Sequence, residues 1–204
     1  MLMLVLVFSL TLHEAAHAWT ADKLGDPTAR NLGRVSLNPI VHIDPIGTLL
    51  LPLLAATTGA PLLGWAKPVP VRSRALKNVR RDFLLIAAAG PAANLLLAVI
   101  AAIAINLAPG DVGQVGGLEV SQPLSFLITR AFTMNLLLAL FNMIPVPPLD
   151  GGNVLASLLP PRMAYSYDRL RPYGIFILYG LLLTGAVSFI IGPPYIFLRD
   201  LLLS

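Results

Sequence analysis

The sequence contains no cysteine and little charge, with only 12% of its 204 residues being Asp, Glu, Lys or Arg. The absence of cysteine excludes disulfide bonds, thiolate metal ligands and cysteine nucleophiles, although it says little about the cellular compartment. A soluble globular chain of this length carries about twice this share of charged residues. Because 56% of the residues are hydrophobic and the mean hydropathy is +0.79, the chain needs a solvent other than water. A lipid bilayer supplies it.

The formal net charge of +4 is weak support for nucleic-acid binding. The positive residues lie in short loops between apolar runs, which is typical of membrane orientation rather than of a nucleic-acid interface. We therefore expect a lipid bilayer as the surrounding partner and no nucleic acid.

Four apolar runs are each long enough to cross a bilayer as a helix, which takes about 20 residues; they cover 1–21, 83–108, 124–144 and 172–192. The first run lacks a basic n-region and a small-residue cleavage site, so we interpret it as a retained transmembrane helix. The sequence thus predicts an all-α polytopic membrane protein with four transmembrane helices in a single domain, 1–204. The first three runs are the expected core helices, and 172–192 is the accessory helix.

A fifth run, 45–63, contains prolines and glycines that would break a continuous helix near its middle. The positive-inside rule places the basic segments 22–82 and 145–171 in the cytoplasm, and the segment 109–123, which lacks Lys and Arg, outside. This arrangement requires that 45–63 makes no net crossing, so we predict a membrane re-entrant segment. The alternative is a fifth span kinked by its prolines, which would place the basic loop 64–82 outside.

His13, Glu14 and His17 form the pattern HEAAH in the inner half of the first helix. Two histidines at i and i+4 share one helical face and can bind one zinc ion, while the intervening glutamate reaches the metal-bound water as general base. Ionisable residues inside a membrane helix are costly and need partners or a function. The sequence therefore favours a metal site over the alternative, a paired polar cluster.

Asp150 is the best candidate for the third zinc ligand, since catalytic zinc usually has three protein ligands and one position for water. It follows the run 124–144 and a proline-rich stretch that we expect to be an extended strand within the membrane region. Gly151 and Gly152 then let the backbone turn and approach closely. The alternative role for Asp150 is an N-cap of the following segment.

Together these motifs resemble the site-2 protease family of intramembrane zinc metallopeptidases. The resemblance rests on HEAAH, on the motif Asn-x-x-Pro-x-Pro-x-x-Asp-Gly from Asn142 to Gly151, and on the stretch 89–94, AGPAAN. Segments 38–48 and 64–71 resemble the small bacterial branch, for which we expect neither a PDZ insert nor a nucleotide-sensing domain. The resemblance covers nearly the whole chain.

The resemblance implies zinc bound by His13, His17 and Asp150, with Glu14 as the base. It implies that Asn142 donates a hydrogen bond to the scissile carbonyl; the alternative for Asn142 is an amide that packs two helices together. It also implies short strands in the re-entrant segment, and transmembrane proteins as substrates. Asn94 is expected to be structural, or at most to support the site indirectly.

Two further polar residues, His42 and Asp44, lie in the cytoplasmic segment. They could pair near the mouth of the site, but a loop histidine is more often solvated, so we do not expect His42 to bind the metal.

We therefore predict an intramembrane zinc metalloprotease in the cell membrane, multi-pass, with its active site open toward the cytoplasm. Two alternatives are a membrane zinc-binding or zinc-transport protein without peptidase activity, and a non-catalytic relative that escorts membrane helices. A transporter does not need a glutamate beside the metal-bound water, so Glu14 separates it from a protease. The complete set of ligands and base argues against the escort.

Overall fold

The structure is a computed structural model that describes residues 2–50, 53–54, 57, 66–107, 114–115, 118–119 and 122–204. Its α-helices, in chain order, are α1 (Leu2–Lys23), α2 (Thr28–Asn31), α3 (Val79–Asn106), α4 (Gln122–Asn142), α5 (Asp150–Leu158), α6 (Pro161–Asp168), α7 (Gly174–Leu183) and α8 (Ala186–Leu202). Short 3-10 helices cover Pro39–Val41, Ser73–Ala75 and Arg171–Tyr173, and a π-helical turn covers Pro45–Leu50. The strands β1 (Gln114–Val115) and β2 (Leu118–Glu119) form an antiparallel pair.

Three of the helices in the described ranges are long and apolar enough to cross a bilayer: α1, α3 and the part of α4 from Leu124 to Asn142. They match the three predicted core helices, although α3 begins four residues before the predicted start at 83. The side chain of Asn78 sets that start, since it accepts a hydrogen bond from the backbone N–H of Arg81 and so caps the helix. The chain is thus a multi-pass membrane protein with a mainly helical fold.

Small residues let the core helices approach closely. Buried alanines line the interfaces of the core helices: Ala21 of α1 clusters with Ile86 of α3, and Ala98 of α3 clusters with Phe132 of α4. Residues without bulk bring two helical backbones together, which is how membrane helices gain packing energy in the absence of a hydrophobic driving force. The result is a tight three-helix unit in which backbone carbonyls of one helix lie within reach of side chains on another.

The predicted accessory helix 172–192 is wrong as a single helix. Gly185, with a left-handed φ of 74°, separates α7 from α8, and the stretches Pro161–Leu183 and Ala186–Leu202 are bent by 74°. A glycine adopts this conformation without the steric cost that a side chain would add. α7 and α8 together form one broken span or a re-entrant pair, so the described residues hold three or four candidate spans.

The segment 45–63 is only partly described. Residues 45–50, 53–54 and 57 are helical, so the short strands expected in this segment are not found in those parts. Asp44 caps the first turn, because its Oδ1 accepts hydrogen bonds from the backbone N–H groups of Ile46 and Gly47. The rest of the predicted re-entrant segment lies outside the described residues, and the choice between a re-entrant segment and a fifth span stays a prediction.

The proline-rich connection between α4 and α5 is not the extended strand that the sequence suggested. Its backbone folds into consecutive tight turns, with Val146 N donating to Ile144 O at 2.8 Å and Leu149 N donating to Val146 O at 3.0 Å. Ile144 and Leu149 are buried in a cluster with residues of α7 and α8. The turns shorten the connection and set the first residue of α5 against the core helices.

Candidate metal centre

The structure brings His13, His17 and Asp150 together. Both histidines are buried on the side of α1 that faces α3, with 4% and 7% of their surface exposed. Asp150 Oδ2 lies 3.0 Å from His13 Nε2 and 3.3 Å from His17 Nε2, and the two Nε2 atoms are 3.1 Å apart. Within the described part of the chain, this is the group of three acidic or histidine side chains whose ligand atoms converge closely enough for one metal ion.

Asp150 reaches the histidines because α5 begins at that residue. The residue before the helix is Leu149, and no side chain caps the first turn, so the alternative role of Asp150 as an N-cap is wrong. A Cβ atom on Gly151 would lie 2.3 Å from the carbonyl oxygen of Met143, and one on Gly152 would lie 2.9 Å from Pro147 N. The two glycines therefore allow the close approach of backbone that the sequence predicted.

Hydrogen bonds fix which nitrogen of each imidazole carries a proton. His17 Nδ1 lies 2.6 Å from the backbone oxygen of Ile86, which can only accept, so this nitrogen donates. His13 Nδ1 lies 2.5 Å from Asn94 Oδ1. Asn94 presents its oxygen to His13 because its Nδ2 donates to the backbone oxygen of Ser9 at 3.3 Å. In the neutral state both Nε2 atoms therefore keep their lone pairs.

Two imidazole lone pairs and one carboxylate oxygen thus face a common point. Asp150 Oδ2 is buried and has no hydrogen-bond donor, although it lies next to both Nε2 atoms. A tetrahedral zinc ion with bonds of about 2.0–2.1 Å places its ligand atoms roughly 3.3 Å apart, close to the observed 3.0–3.3 Å. The donor set and its spacing fit zinc, with a fourth position left for a water molecule or a substrate.

Gly90 provides the space in which the histidines meet. A Cβ atom at this position of α3 would lie 2.3 Å from His17 Nε2 and 2.6 Å from His13 Nε2. Sequence reasoning noted Gly90 only as part of a family motif. The available signal was a glycine beside Pro91 within an apolar span, a position where glycine is otherwise unfavourable.

The other two predicted site residues make no hydrogen bond to His13, His17 or Asp150 in the structure. Glu14 is half-buried next to His13 in α1, and its carboxylate has no hydrogen bond or ion pair with the described residues. Asn142 is the last residue of α4, and its Nδ2 donates to Leu138 O in the same helix at 3.0 Å. One of its two amide N–H groups therefore remains for another acceptor. The catalytic roles of both residues stay predictions.

His42 is not solvated, contrary to the sequence interpretation. Only 2% of its surface is exposed, and its Nε2 donates to the backbone oxygen of Ser36 at 2.8 Å. Its neighbour Asp44 caps the following turn instead of pairing with it. The two residues therefore hold the segment after α2 in shape.

Two buried amides lie behind His13, namely Asn94 of α3, which is hydrogen-bonded to His13, and Asn135 of α4, which is hydrogen-bonded to Asn94. Asn94 bonds His13, as the expectation of an indirect role allowed, whereas the sequence analysis did not single out Asn135. Its signal was one strongly polar side chain in the middle of an apolar span, which by itself suggests a function.

The chain matches known proteins over nearly its full length. The family model described as Peptidase family M50 covers residues 1–184. "Putative zinc metalloprotease YwhC" of Bacillus subtilis is 37% identical over 207 residues, which cover 100% of this chain and 89% of that protein. "Putative zinc metalloprotease Rip2" of Mycolicibacterium smegmatis is 31% identical over 182 residues, 89% of this chain.

The chain spans about two thirds of Rip2, since the matched region is 66% of that protein. Rip2 of Mycobacterium tuberculosis H37Rv gives a similar match, 31% identity over 180 residues. No solved structure matches the chain significantly. Given the extent of the family match and the 37% identity with a relative of nearly the same length, the chain belongs to peptidase family M50.

Proposed function

We propose that this protein is an intramembrane zinc metalloprotease that hydrolyses peptide bonds in the transmembrane segments of membrane proteins. The observation that carries the proposal is the convergence of His13 Nε2, His17 Nε2 and Asp150 Oδ2 within a membrane-spanning helical core. The membership in peptidase family M50 and the zinc metalloproteases among its relatives support the same activity.

The proposed zinc ligands are these three side chains, and hydrogen bonds orient the two imidazoles. The imidazoles donate from Nδ1 to Asn94 Oδ1 and Ile86 O, which orients both rings and increases the basicity of their Nε2 atoms. When bound, zinc supplies a Lewis acid that polarises the scissile carbonyl and lowers the pKa of a coordinated water molecule.

Glu14 is the proposed general base. It follows His13 directly in α1, and its carboxylate is free of partners among the described residues, so it can accept the proton of the attacking water and later donate it to the leaving amine. Asn142 has one N–H group that is not used by Leu138 O. We propose that this N–H stabilises the negative charge that builds on the scissile carbonyl oxygen.

The proposed substrates are transmembrane helices that unwind locally, since a helix hides its carbonyl groups in its own hydrogen bonds. The cluster of basic residues in 22–82 and 145–171 supports an active site that opens toward the cytoplasm. Water would then reach the buried ligands from that side.

The test is zinc content and cleavage of a single-span model substrate by the purified protein in proteoliposomes. We expect Glu14→Gln to keep stoichiometric zinc and to lose about 10²–10⁴-fold in cleavage rate, the usual contribution of a general base. Asp150→Asn should lose both zinc and cleavage, and a chelator should inhibit the wild-type protein until zinc is restored.

A matched control is Asp168→Asn, an acid-to-amide change at the exposed ion pair with Arg171, which should cleave at the wild-type rate. If Glu14→Gln cleaves as fast as the wild-type protein, the protease assignment fails. If zinc instead accumulates inside vesicles equally well in both proteins, the transport alternative replaces it.

A further inference from the structure

Two amide side chains are buried where three membrane helices meet. Asn94 of α3 is fully buried and Asn135 of α4 is 2% exposed, and they are hydrogen-bonded to each other. An amide buried in an apolar region costs free energy unless its hydrogen bonds are made. Neither residue is one of the three converging ligands, so their burial needs another explanation.

The direction of each hydrogen bond in this group follows from backbone carbonyls, which can only accept. Ala131 O accepts from Asn135 Nδ2 at 2.9 Å, so Asn135 turns its oxygen toward Asn94. That oxygen accepts from Asn94 Nδ2 at 2.8 Å. Asn94 Oδ1 is then left for His13 Nδ1, which makes a one-directional chain of three hydrogen bonds from His13 through both amides to Ala131 O.

The two histidines are oriented by different kinds of acceptor. His17 bonds directly to Ile86 O, which the α3 backbone holds in place. His13 bonds to an amide side chain, and an amide can rotate and present either its oxygen or its nitrogen. Ser9 O anchors the Asn94 amide only weakly, at 3.3 Å, whereas Asn135 anchors it at 2.8 Å.

We propose that Asn135 is a positioning residue for His13 that acts through Asn94. It keeps the Nδ1 proton of His13 hydrogen-bonded, and so keeps His13 Nε2 directed at the point that it shares with His17 Nε2 and Asp150 Oδ2. The proposal rests on the proposed zinc site, to which it adds a third helix, α4. Without Asn135, the Asn94 amide keeps one long bond to Ser9 O and is free to rotate away from His13. Loss of such an outer partner typically weakens metal affinity by about 10–100-fold.

The experiment measures the imidazole N–H protons by ¹⁵N-edited NMR of the purified full chain in lipid nanodiscs, with and without zinc. The chain has only three histidines, so the signals can be assigned with single His→Asn variants. We expect a strongly downfield Nδ1 proton for both His13 and His17 in the wild-type protein. Asn135→Ala should shift the His13 signal upfield and speed its exchange with water, while the His17 signal, which depends on Ile86 O, stays in place.

A matched control is Thr133→Val in the same helix. Thr133 Oγ1 donates to Thr129 O four residues earlier, as Asn135 Nδ2 does to Ala131 O, so the change removes the same kind of local bond. Thr133→Val should leave both histidine signals and the zinc affinity unchanged. Asn135→Asp keeps an oxygen that can accept from Asn94, and it should restore much of the His13 signal.

A mutant cycle on zinc affinity, measured by competition with a chelating dye, decides whether Asn135 acts through Asn94. If it does, Asn94→Leu with Asn135→Ala should bind zinc no more weakly than Asn94→Leu alone, although Asn135→Ala alone weakens binding about 10–100-fold. Additive losses, or equal shifts of the His13 and His17 signals, would show that Asn135 only supports packing and would overturn the proposal. If Asn135→Ala does not fold, Asn135→Leu, with a side chain of similar size, replaces it in the cycle.

The outcome is separable from that of the proposed function. A wild-type protein that binds zinc but does not cleave would remove the protease assignment, while the zinc-affinity cycle would still test Asn135. A wild-type protein that binds no zinc would remove the metal site, and the His13 proton signal would still report whether Asn135 orients that ring.

Discussion

The helices around the metal centre and the C-terminal helices are built from different residues. The interfaces of α1, α3 and α4 contain small or polar buried side chains, such as Ala18, Ala98 and Asn94. α7 and α8 instead bury aliphatic side chains, Leu178, Val187 and Ile191, and on their outer side Phe189 has 83% of its surface exposed. A membrane surrounds such residues with lipid, so their exposure is the expected condition for a spanning helix.

This difference shows which helices position the side chains of the metal centre. Close helices put Ile86 O and Asn94 within hydrogen-bond reach of the two histidines. Among the described residues, the C-terminal helices reach the centre through Leu178, Val187 and Ile191, which pack on Ile144 and Leu149 in the turns before Asp150. Substitutions should therefore be severe beside α1, intermediate at those turns and mild on the lipid-facing side.

Gly90→Val should have the largest effect. The added side chain would begin 2.3 Å from His17 Nε2. The His17 ring must then leave its position, and its Nε2 no longer converges with His13 Nε2 and Asp150 Oδ2. We expect zinc affinity to fall by more than about 100-fold, which exceeds the typical loss when a residue that hydrogen-bonds a metal ligand is removed. The cleavage rate should fall with it. The measurement is zinc content by mass spectrometry after dialysis, together with the cleavage assay.

Gly180 in α7 gives the control for Gly90, since a Cβ atom there meets nothing within 4 Å beyond its chain neighbours and its own helix backbone. Gly180→Ala should retain zinc and activity, and it should be neutral or stabilising by up to about 1 kcal/mol because alanine favours helix. If the two substitutions had equal effects, the contrast between the two regions would be wrong.

Gly174→Val should have the second largest effect, because this glycine belongs to a C-terminal helix yet contacts the turns before Asp150. A Cβ atom on Gly174 would lie 2.2 Å from Pro147 O. Overpacking of this kind typically costs about 1–3 kcal/mol. We expect a lower thermal unfolding midpoint in nanodiscs and a partial loss of cleavage, with most zinc retained because the two histidines are untouched. Complete loss of zinc would mean that α7 controls the site as strongly as α3 does.

The sequence predicted the three core helices and the proximity of His13, His17 and Asp150, because local patterns carry most of this information. An apolar run of about 20 residues defines a span, and two histidines at i and i+4 define a helical face. The convergence of Asp150 with them followed from placing it at the same membrane depth. Local patterns were enough for the helices and for the histidine pair, whereas Asp150 also required the predicted membrane topology.

The errors involve features that a local sequence pattern does not determine. The helix predicted at 172–192 is interrupted at Gly185, whose left-handed conformation is one of several that a glycine permits. His42 looked like a solvated loop residue, but the fold buries it and supplies Ser36 O as its partner. Asn135 gave no motif of its own, since its partner Asn94 is 41 positions away.

Asp26→Asn should have a moderate effect that depends on pH. The buried Asp26 carboxylate, between α1 and α2, accepts from Thr28 N at 3.0 Å, from Thr28 Oγ1 at 2.5 Å and from Arg72 N at 2.5 Å. Burial opposes its ionisation, but the hydrogen bonds from Thr28 and Arg72 outweigh burial and hold the pKa of Asp26 below its ordinary value.

Because that pKa is lower in the folded state, ionised Asp26 stabilises the fold at pH values above the pKa of the unfolded chain. The contribution is lost as the pH falls through the folded-state value. Asp26→Asn should cost about 1–3 kcal/mol at pH 7, since it weakens bonds to buried donors, and the difference from wild type should shrink toward pH 3. Thermal unfolding at both pH values measures this; a difference independent of pH would show that the charge of Asp26 does not matter.

Phe189→Ala should have the smallest effect and tests the lipid-facing side most directly. Its ring is 83% exposed, so removing it opens no cavity in the protein, and lipid chains fill the space. In water an exposed phenylalanine would be an unfavourable surface, but lipid is as apolar as the ring, and little free energy depends on the contact. We expect a change in unfolding free energy within about 0.5 kcal/mol, as for surface substitutions generally, and unchanged zinc content and cleavage. A destabilisation of 2 kcal/mol or more would instead indicate that α8 packs against another protein surface in the membrane, and the C-terminal helices would then be an interface rather than a lipid-facing cover.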